Sequence, residues 1–217
     1  MGELIRLADR REARRARPRR RRGESVRAEF LFDLASPFTY LAAERVERAF
    51  AGVRWTPASG TALRGGSLAA DAAALTRARL AAEQRATLLR LPLVWPETYP
   101  ADVPAAMRVA AYAARCGRGA GFVLAAGRLA FCGGFDLDDP EILAEAAAAA
   151  GLSLAGCLRA AGDVRHDGAI EAAGRRMLSA GADRLPALRV GRSLFWGEGQ
   201  VAEAAAAARL HAAAAGH

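Results

Sequence analysis

Residues 28–41, AEFLFDLASPFTYL, hold an apolar run of strand length that is followed at once by a helix-start signal. Serine at position 36 is a favoured N-cap residue, and proline at position 37 suits the first turn of an α-helix. Apolar side chains then recur at helical spacing up to about residue 50. The stretch therefore predicts a strand over 28–34 and a helix that begins at Pro37.

The neighbouring segments extend this strand and helix into a larger pattern. Gly52 ends the helix, and the run VRWTP over 53–57 predicts a second strand, so the first three elements form a β-α-β unit typical of parallel pairing. Near the other end of the chain, residues 186–190 and 193–196 predict a hairpin across Gly191 and Arg192. A helix over 167–181 precedes the hairpin, and a last helix is expected to open at Gly197.

Between these two regions the sequence favours helices alone. Five candidates are bounded by glycine or proline: 68–91, 105–115, 119–132, 140–150 and 154–161. Without this block, the order of the elements is that of a thioredoxin fold, in which β-α-β and β-β-α halves share one sheet. We predict an α/β protein with a thioredoxin-like domain over 25–66 and 163–217 and an inserted all-helical domain over 67–162.

The chain of 217 residues carries a formal net charge of +8, which suggests a nucleic-acid binder until the charges are located. Residues 1–24 hold ten arginines against four acidic residues, so most of the surplus lies there. We predict a disordered Arg-rich arm over 1–24. Because the rest of the chain is close to neutral, nucleic acid is expected to bind only through the arm, if at all.

Other features of the composition exclude further classes of protein. No apolar run reaches the length of about 18 residues that a membrane span needs, so we expect a soluble protein. The cysteines Cys116, Cys132 and Cys157 lie too far apart for a redox C-x-x-C or a zinc pattern. We expect them to be buried apolar residues in a cytoplasmic protein, and we predict no metal site.

Ser36 is the strongest candidate for chemistry. The segment FLFDLASPFTYLA over 30–42 resembles the active-site strand and helix of thioredoxin-fold disulfide oxidoreductases, where C-P-x-C follows an acidic residue. Ser36 and Thr39 occupy the two cysteine positions, which excludes disulfide chemistry. A hydroxyl at a helix N-terminus still lies beside unpaired backbone N–H groups, which stabilise an anion such as a bound thiolate. The competing explanation is that Ser36 only caps the helix.

Four segments, in order, resemble one family over about residues 28–210. They are SPFTYLA (36–42), LPLVWPETYP (91–100), ADRLPALRV (182–190) and SLFWGEGQV (193–201). The chain is similar to the 2-hydroxychromene-2-carboxylate isomerases, a group that also contains the kappa-class glutathione transferases. The resemblance implies a thioredoxin fold, a homodimer, and thiol-dependent isomerisation or conjugation of a small aromatic substrate with a conjugated carbonyl group.

The resemblance also implies a thiol site, for glutathione or another low-molecular-weight thiol. Ser36 would be the catalytic serine, whose hydroxyl forms a hydrogen bond with the sulfur. Leu185 would precede a cis-proline, Pro186, and pair its backbone with the peptide part of the thiol. The γ-glutamyl end would lie at a turn formed by Trp196, Gly197, Glu198 and Gly199.

Two more residues are implied in substrate binding: Tyr99 contacts the substrate, and Arg64 binds its carboxylate. The chain departs from the family at Gly199, where the family has an aspartate that pairs with the γ-glutamyl ammonium; Glu198 is the candidate replacement. This departure keeps a second function open. The chain would then be a thioredoxin-fold binding or pathway-accessory protein that has lost thiol chemistry.

Removal of the arm tests whether its charge matters to the rest of the chain. A protein that begins at Ser25 loses most of the net charge but none of the four family segments, so its melting temperature and small-molecule activity should not change. Any affinity for DNA or RNA should be salt-sensitive and disappear with the arm. Fluorescence anisotropy that still shows nucleic-acid binding after the truncation would contradict this prediction.

Overall fold

A four-stranded sheet organises the part of the chain that the structure, a computed structural model, describes: residues 28–50, 52–64 and 71–214. In spatial order the strands are β2 (Val53–Pro57), β1 (Ala28–Phe32), β3 (Ala187–Val190) and β4 (Ser193–Trp196). β2 is parallel to β1, whereas β3 is antiparallel to both of its neighbours. All of β1 is buried, as expected for a central strand that helices cover on both faces.

Nine α-helices accompany the sheet within the described residues. They are α1 (Pro37–Ala49), α2 (Gly60–Arg64), α3 (Ala72–Leu89), α4 (Pro104–Arg115), α5 (Gly119–Phe131), α6 (Pro140–Ala149), α7 (Leu154–Ala161), α8 (Asp167–Ser179) and α9 (Val201–Ala214). Short 3-10 turns over Val164–His166 and Glu198–Gln200 precede α8 and α9. This order, β-α-β followed by helices and then β-β-α, confirms the predicted thioredoxin-like fold with inserted helices.

The two faces of β1 belong to different cores because side chains alternate along a strand. Phe30 and Phe32 point into the larger core, which they share with α1, α4 and α5. Leu31 points into a smaller core with Leu63 of α2 and Met177 of α8. The sheet is therefore held from both sides.

Helices α3 to α7 lie between β2 and β3 in the chain and form the predicted helical block. The larger core continues from the sheet into α4, α5, α6 and α7, and α4 contacts β2 directly. The division of the chain into two domains stays a prediction. The predicted arm over 1–24 lies outside the described residues.

Most predicted elements agree with the structure to within a few residues, and two of the boundary differences have a clear physical reason. β1 ends at Phe32, not at residue 34, because Asp33 turns the chain: its carboxylate accepts from Ala35 N at 2.9 Å and its carbonyl from Ser36 N at 3.1 Å. The last helix does not open at Gly197, which has φ +86° and donates its N–H to the Pro186 carbonyl at 2.8 Å.

The expectation that all three cysteines are buried is correct only for Cys157. Cys132 is half-buried and donates to the Tyr40 hydroxyl at 2.9 Å, and Cys116 is exposed. Burial raises the pKa of the Cys157 thiol, which therefore stays protonated. Among the helices that the structure describes, none combines the length and the apolar character needed to cross a membrane.

Gly174 sets how closely α8 approaches the segment before α2. A Cβ at Gly174 would lie 2.3 Å from the Ser59 carbonyl oxygen, so Gly174→Ala should lower the free energy of unfolding by about 1–3 kcal/mol. Helix propensity alone predicts the opposite sign, by about 1 kcal/mol. Gly168→Ala on the same helix meets no atom within 4 Å and is the matched control. Urea unfolding in which Gly174→Ala is as stable as the control would contradict the close packing.

Candidate functional site

A cavity of about 590 Å³ contains most of the residues that the sequence singled out. The N-terminus of α1, helix α3, the loop 99–102 and the segments on either side of the β3-β4 hairpin enclose it. The predicted residues that line it are Ser36, Tyr99, Leu185, Trp196, Gly197, Glu198 and Gly199. Pro186 follows Leu185 directly, and the side chain of Arg64, the last residue of α2, lies outside the described residues.

Ser36 occupies the N-cap position of α1, but its hydroxyl makes no capping hydrogen bond. The explanation of Ser36 as a side-chain cap is therefore wrong, and the hydroxyl is available to the cavity. Thr39, the second hydroxyl in the C-x-x-C positions, is buried, and its Oγ1 accepts from Asp33 N at 3.3 Å. No acidic residue lies in the first turn of α1 itself; the nearest carboxylate along the chain is that of Asp33, three residues before Ser36.

Asp33 holds the segment that carries Ser36. One carboxylate oxygen accepts from Ala35 N at 2.9 Å, and the other accepts from Gly60 N at 2.6 Å. Asp33 thereby ties the start of α1 to the start of α2, and it lines the cavity itself. Sequence analysis identified Asp33 only as an acidic residue before the helix. Its role in joining α1 to α2 was missed, because Gly60 lies 27 residues away in the chain.

The wall opposite α1 contains the predicted cis-proline. The Leu185–Pro186 peptide bond is cis, which confirms the prediction, and Tyr99–Pro100 is a second cis bond that the sequence did not predict. Within the part of the chain that the structure describes, the backbone groups of Leu185 have no hydrogen-bond partner. They are therefore available to pair with an extended peptide, in the manner of a neighbouring strand.

Side chains of α3 hold the interhelical loop through Trp95. The Arg79 guanidinium lies 4.7 Å from the centre of the Trp95 ring, and Trp95 packs against Tyr99 within the loop with 4.6 Å between ring centroids. Trp95 Nε1 also donates to Glu83 at 2.9 Å. At the start of the loop, the Tyr40 hydroxyl donates to the Pro92 carbonyl at 2.9 Å, and burial raises the pKa of Tyr40, which keeps this donor protonated. Tyr99 is thus presented to the cavity by a fixed loop.

Glu198 lies in the predicted turn, but its carboxylate is already bonded to two arginines. Arg85 donates from Nε to Oε2 at 2.6 Å and from Nη2 to Oε1 at 3.0 Å, and Arg45 forms a further ion pair with Oε1. The hydrogen bonds to Glu198 raise the pKa of Arg85 above its ordinary value. Neither arginine was identified from the sequence, because the two belong to helices far from Glu198 in the chain.

The residues that line the cavity fit one end of a thiol such as glutathione better than the other. The uncapped hydroxyl of Ser36 and the unpaired backbone of Leu185 fit a sulfur atom and a peptide. The expected partner of an ammonium group is missing, because Gly199 has no side chain and Glu198 is committed to Arg45 and Arg85. Across the described ranges, no group of three or more potential ligands could hold a metal ion.

Comparisons with known proteins agree with this architecture. The family model of the DSBA-like thioredoxin domain matches residues 28–208, and no curated protein matches the chain. A solved 2-hydroxychromene-2-carboxylate isomerase aligns with a TM-score of 0.71 and 18% identity, over 84% of this chain and 95% of its own. A "probable DsbA oxidoreductase" from Streptomyces coelicolor aligns with a TM-score of 0.62 and 21% identity, over 85% and 88%. The two structures share the fold, and the family match over most of the sequence shows that the chain belongs to the DSBA-like thioredoxin domain family.

Proposed function

We propose that the chain is a thiol-dependent isomerase or transferase that resembles 2-hydroxychromene-2-carboxylate isomerase and acts on a conjugated aromatic carbonyl compound with a carboxylate. The observation that carries the proposal is the uncapped hydroxyl of Ser36, on the cavity and at the N-terminus of α1. None of the three cysteines lines this cavity, so the sulfur would come from a small molecule such as glutathione.

In the proposed mechanism, Ser36 donates a hydrogen bond to the sulfur and so favours its thiolate form. The positive end of the α1 dipole favours the same charge. We assign Ser36 the role of a donor and not of the nucleophile, because the described residues that line the cavity include no histidine to remove its proton. Leu185 holds the peptide part of the thiol through its backbone groups, which fixes the position of the sulfur.

A bound thiol would supply reversible addition to a double bond conjugated with a carbonyl, which gives a single bond free to rotate before the thiol is expelled. Side chains of the cavity would hold the substrate in position for this reaction. Tyr99 and Phe38 line the cavity and offer apolar ring faces to an aromatic compound, and Arg64 is the proposed partner of its carboxylate. A homodimer and a cytoplasmic location stay predictions.

The turn before α9 favours a second candidate function, a binding or pathway-accessory protein without thiol chemistry. Neither Gly199 nor Glu198 offers a free carboxylate to the ammonium of glutathione. A thermal-shift titration separates the two candidates, because a ligand at about 100 times its Kd adds about 2.7 kcal/mol to the free energy of unfolding. No shift with either glutathione or cysteine would favour the second candidate.

Substitution of Ser36 tests its role in turnover. Ser36→Ala should abolish glutathione-dependent isomerisation of 2-hydroxychromene-2-carboxylate but change the free energy of unfolding by less than about 0.5 kcal/mol, because the hydroxyl forms no cap bond. Thr39→Val gives the contrast in stability: it leaves Asp33 N without its partner and should cost about 1–3 kcal/mol of the free energy of unfolding, which Ser36→Ala should not. Full turnover of Ser36→Ala, followed by absorbance, would contradict the proposed mechanism.

Restoring an acidic side chain at position 199 tests the departure from the family. A Cβ at Gly199 meets no atom within 4 Å, so Gly199→Asp fits without repacking. The new carboxylate should strengthen glutathione binding by about ten- to a hundred-fold, as expected for a charge-assisted hydrogen bond to the ammonium. Calorimetric titration in which the affinity for glutathione stays at the wild-type value would show that the thiol does not lie against this turn.

A further inference from the structure

The cavity carries charges of opposite sign at its two ends. Asp33 and Asp102 line both this cavity and a neighbouring one of about 320 Å³, so they mark the boundary between the two. Arg85, Arg184 and Glu198 line the main cavity alone, away from that boundary. Arg184 is paired with the adjacent Asp183 at 2.6 Å, so Arg85 and Glu198 set the charge of this end.

The charge around Glu198 is positive overall. Its carboxylate side chain is only 3% exposed and is shared by Arg45 and Arg85, so three charged groups carry one net positive charge. Arg45 also donates to the backbone carbonyl of Glu198 at 3.1 Å, and this second bond fixes the position of the Arg45 guanidinium. A buried carboxylate that two guanidinium groups already neutralise has little attraction left for a third cation.

Arg85 keeps donors for a ligand. A guanidinium has five N–H donors, and Glu198 takes two of those of Arg85; the others have no partner among the described residues. The Arg85 side chain is 36% exposed and lines the cavity, and Glu198 fixes the plane of its guanidinium. An arginine held in this way binds a carboxylate with geometric specificity.

We propose that the end of the cavity lined by Arg85 and Glu198, the latter also paired with Arg45, binds a carboxylate of the ligand and not an ammonium group. The inference rests on the proposed function for the nature of the ligand. The carboxylate belongs either to the γ-glutamyl end of the thiol or to the aromatic substrate. Glu198 is a positioning residue in this proposal, because it acts on the ligand through Arg85.

Two analogues of glutathione test the sign of this charge preference. Glutaryl-cysteinylglycine keeps the terminal carboxylate and lacks the ammonium, whereas 4-aminobutyryl-cysteinylglycine keeps the ammonium and lacks that carboxylate. Calorimetric titration should show that the first analogue binds at least as tightly as glutathione, and that the second binds about ten- to a hundred-fold more weakly. Equal or tighter binding of the ammonium analogue would overturn the proposal.

Substitution of Arg85 localises the effect. Arg85→Gln should remove the preference between the two analogues, and Arg85→Lys should restore part of it. Arg77→Gln is the matched control, because Arg77 is exposed on the same helix, does not line the cavity, and loses the same charge. The wild-type preference should persist in this control. A preference that survives Arg85→Gln would overturn the assignment to Arg85.

Titration with trans-cinnamate and its neutral amide, cinnamamide, tests whether the site binds a substrate carboxylate. This experiment also separates failure of the carboxylate site from failure of the proposed function. If no thiol binds, the thiol chemistry is wrong, but tighter binding of cinnamate than of cinnamamide, lost in Arg85→Gln, would still support the carboxylate site. If no thiol binds and cinnamate shows no Arg85-dependent advantage over its amide, the carboxylate site is wrong as well.

Discussion

The carboxylate of Asp33 fixes the geometry on which the candidate site depends. Its two oxygens accept from Ala35 N and Gly60 N, so the chain leaves β1 through a tight turn and the starts of α1 and α2 meet at one point. That turn delivers Ser36 to the N-cap position with its hydroxyl uncapped, while Thr39 points inward and accepts from Asp33 N. The turn at Asp33 therefore determines that the Ser36 hydroxyl makes no capping bond and lies on the cavity.

The parts of the fold that the sequence predicted are those that depend on neighbours in the chain. The strand and the helix on either side of Ser36 follow from residue types within 14 positions, whereas the turn at Asp33 was not predicted. The prediction that the last helix opens at Gly197 was wrong. The hydrogen bond that holds Gly197 outside the helix runs from its N–H to the Pro186 carbonyl, across the hairpin, and such a contact cannot be read from neighbouring residues. Arg85 was missed because its partner Glu198 is 113 residues away, and nothing in α3 distinguishes it from Arg77.

Helix α3 is held mainly by polar contacts. Of its 18 residues only Ala82 and Ala86 are buried, so apolar packing fixes the helix weakly. Its polar attachments include the ion pair of Arg85 with Glu198, the Arg79 guanidinium above the Trp95 ring, and the hydrogen bond from Trp95 Nε1 to Glu83. Removing a carboxylate from water costs several kcal/mol, and pairing with two arginines offsets that cost. The charged cluster is thus structural as well as electrostatic, because it holds one wall of the cavity in place.

This double role limits what the cavity can bind. A cation that competed with Arg85 for Glu198 would weaken the attachment of α3, whereas an anion that takes the remaining donors of Arg85 leaves both bonds to Glu198 intact. Trp95 packs against Tyr99 on the other wall, with 4.6 Å between the ring centroids, and this contact does not involve Arg85 or Glu198. The α3 wall is therefore the part of the cavity whose position depends on the charge of a ligand near Arg85: an anion leaves its attachment intact, whereas a cation that binds Glu198 would loosen it.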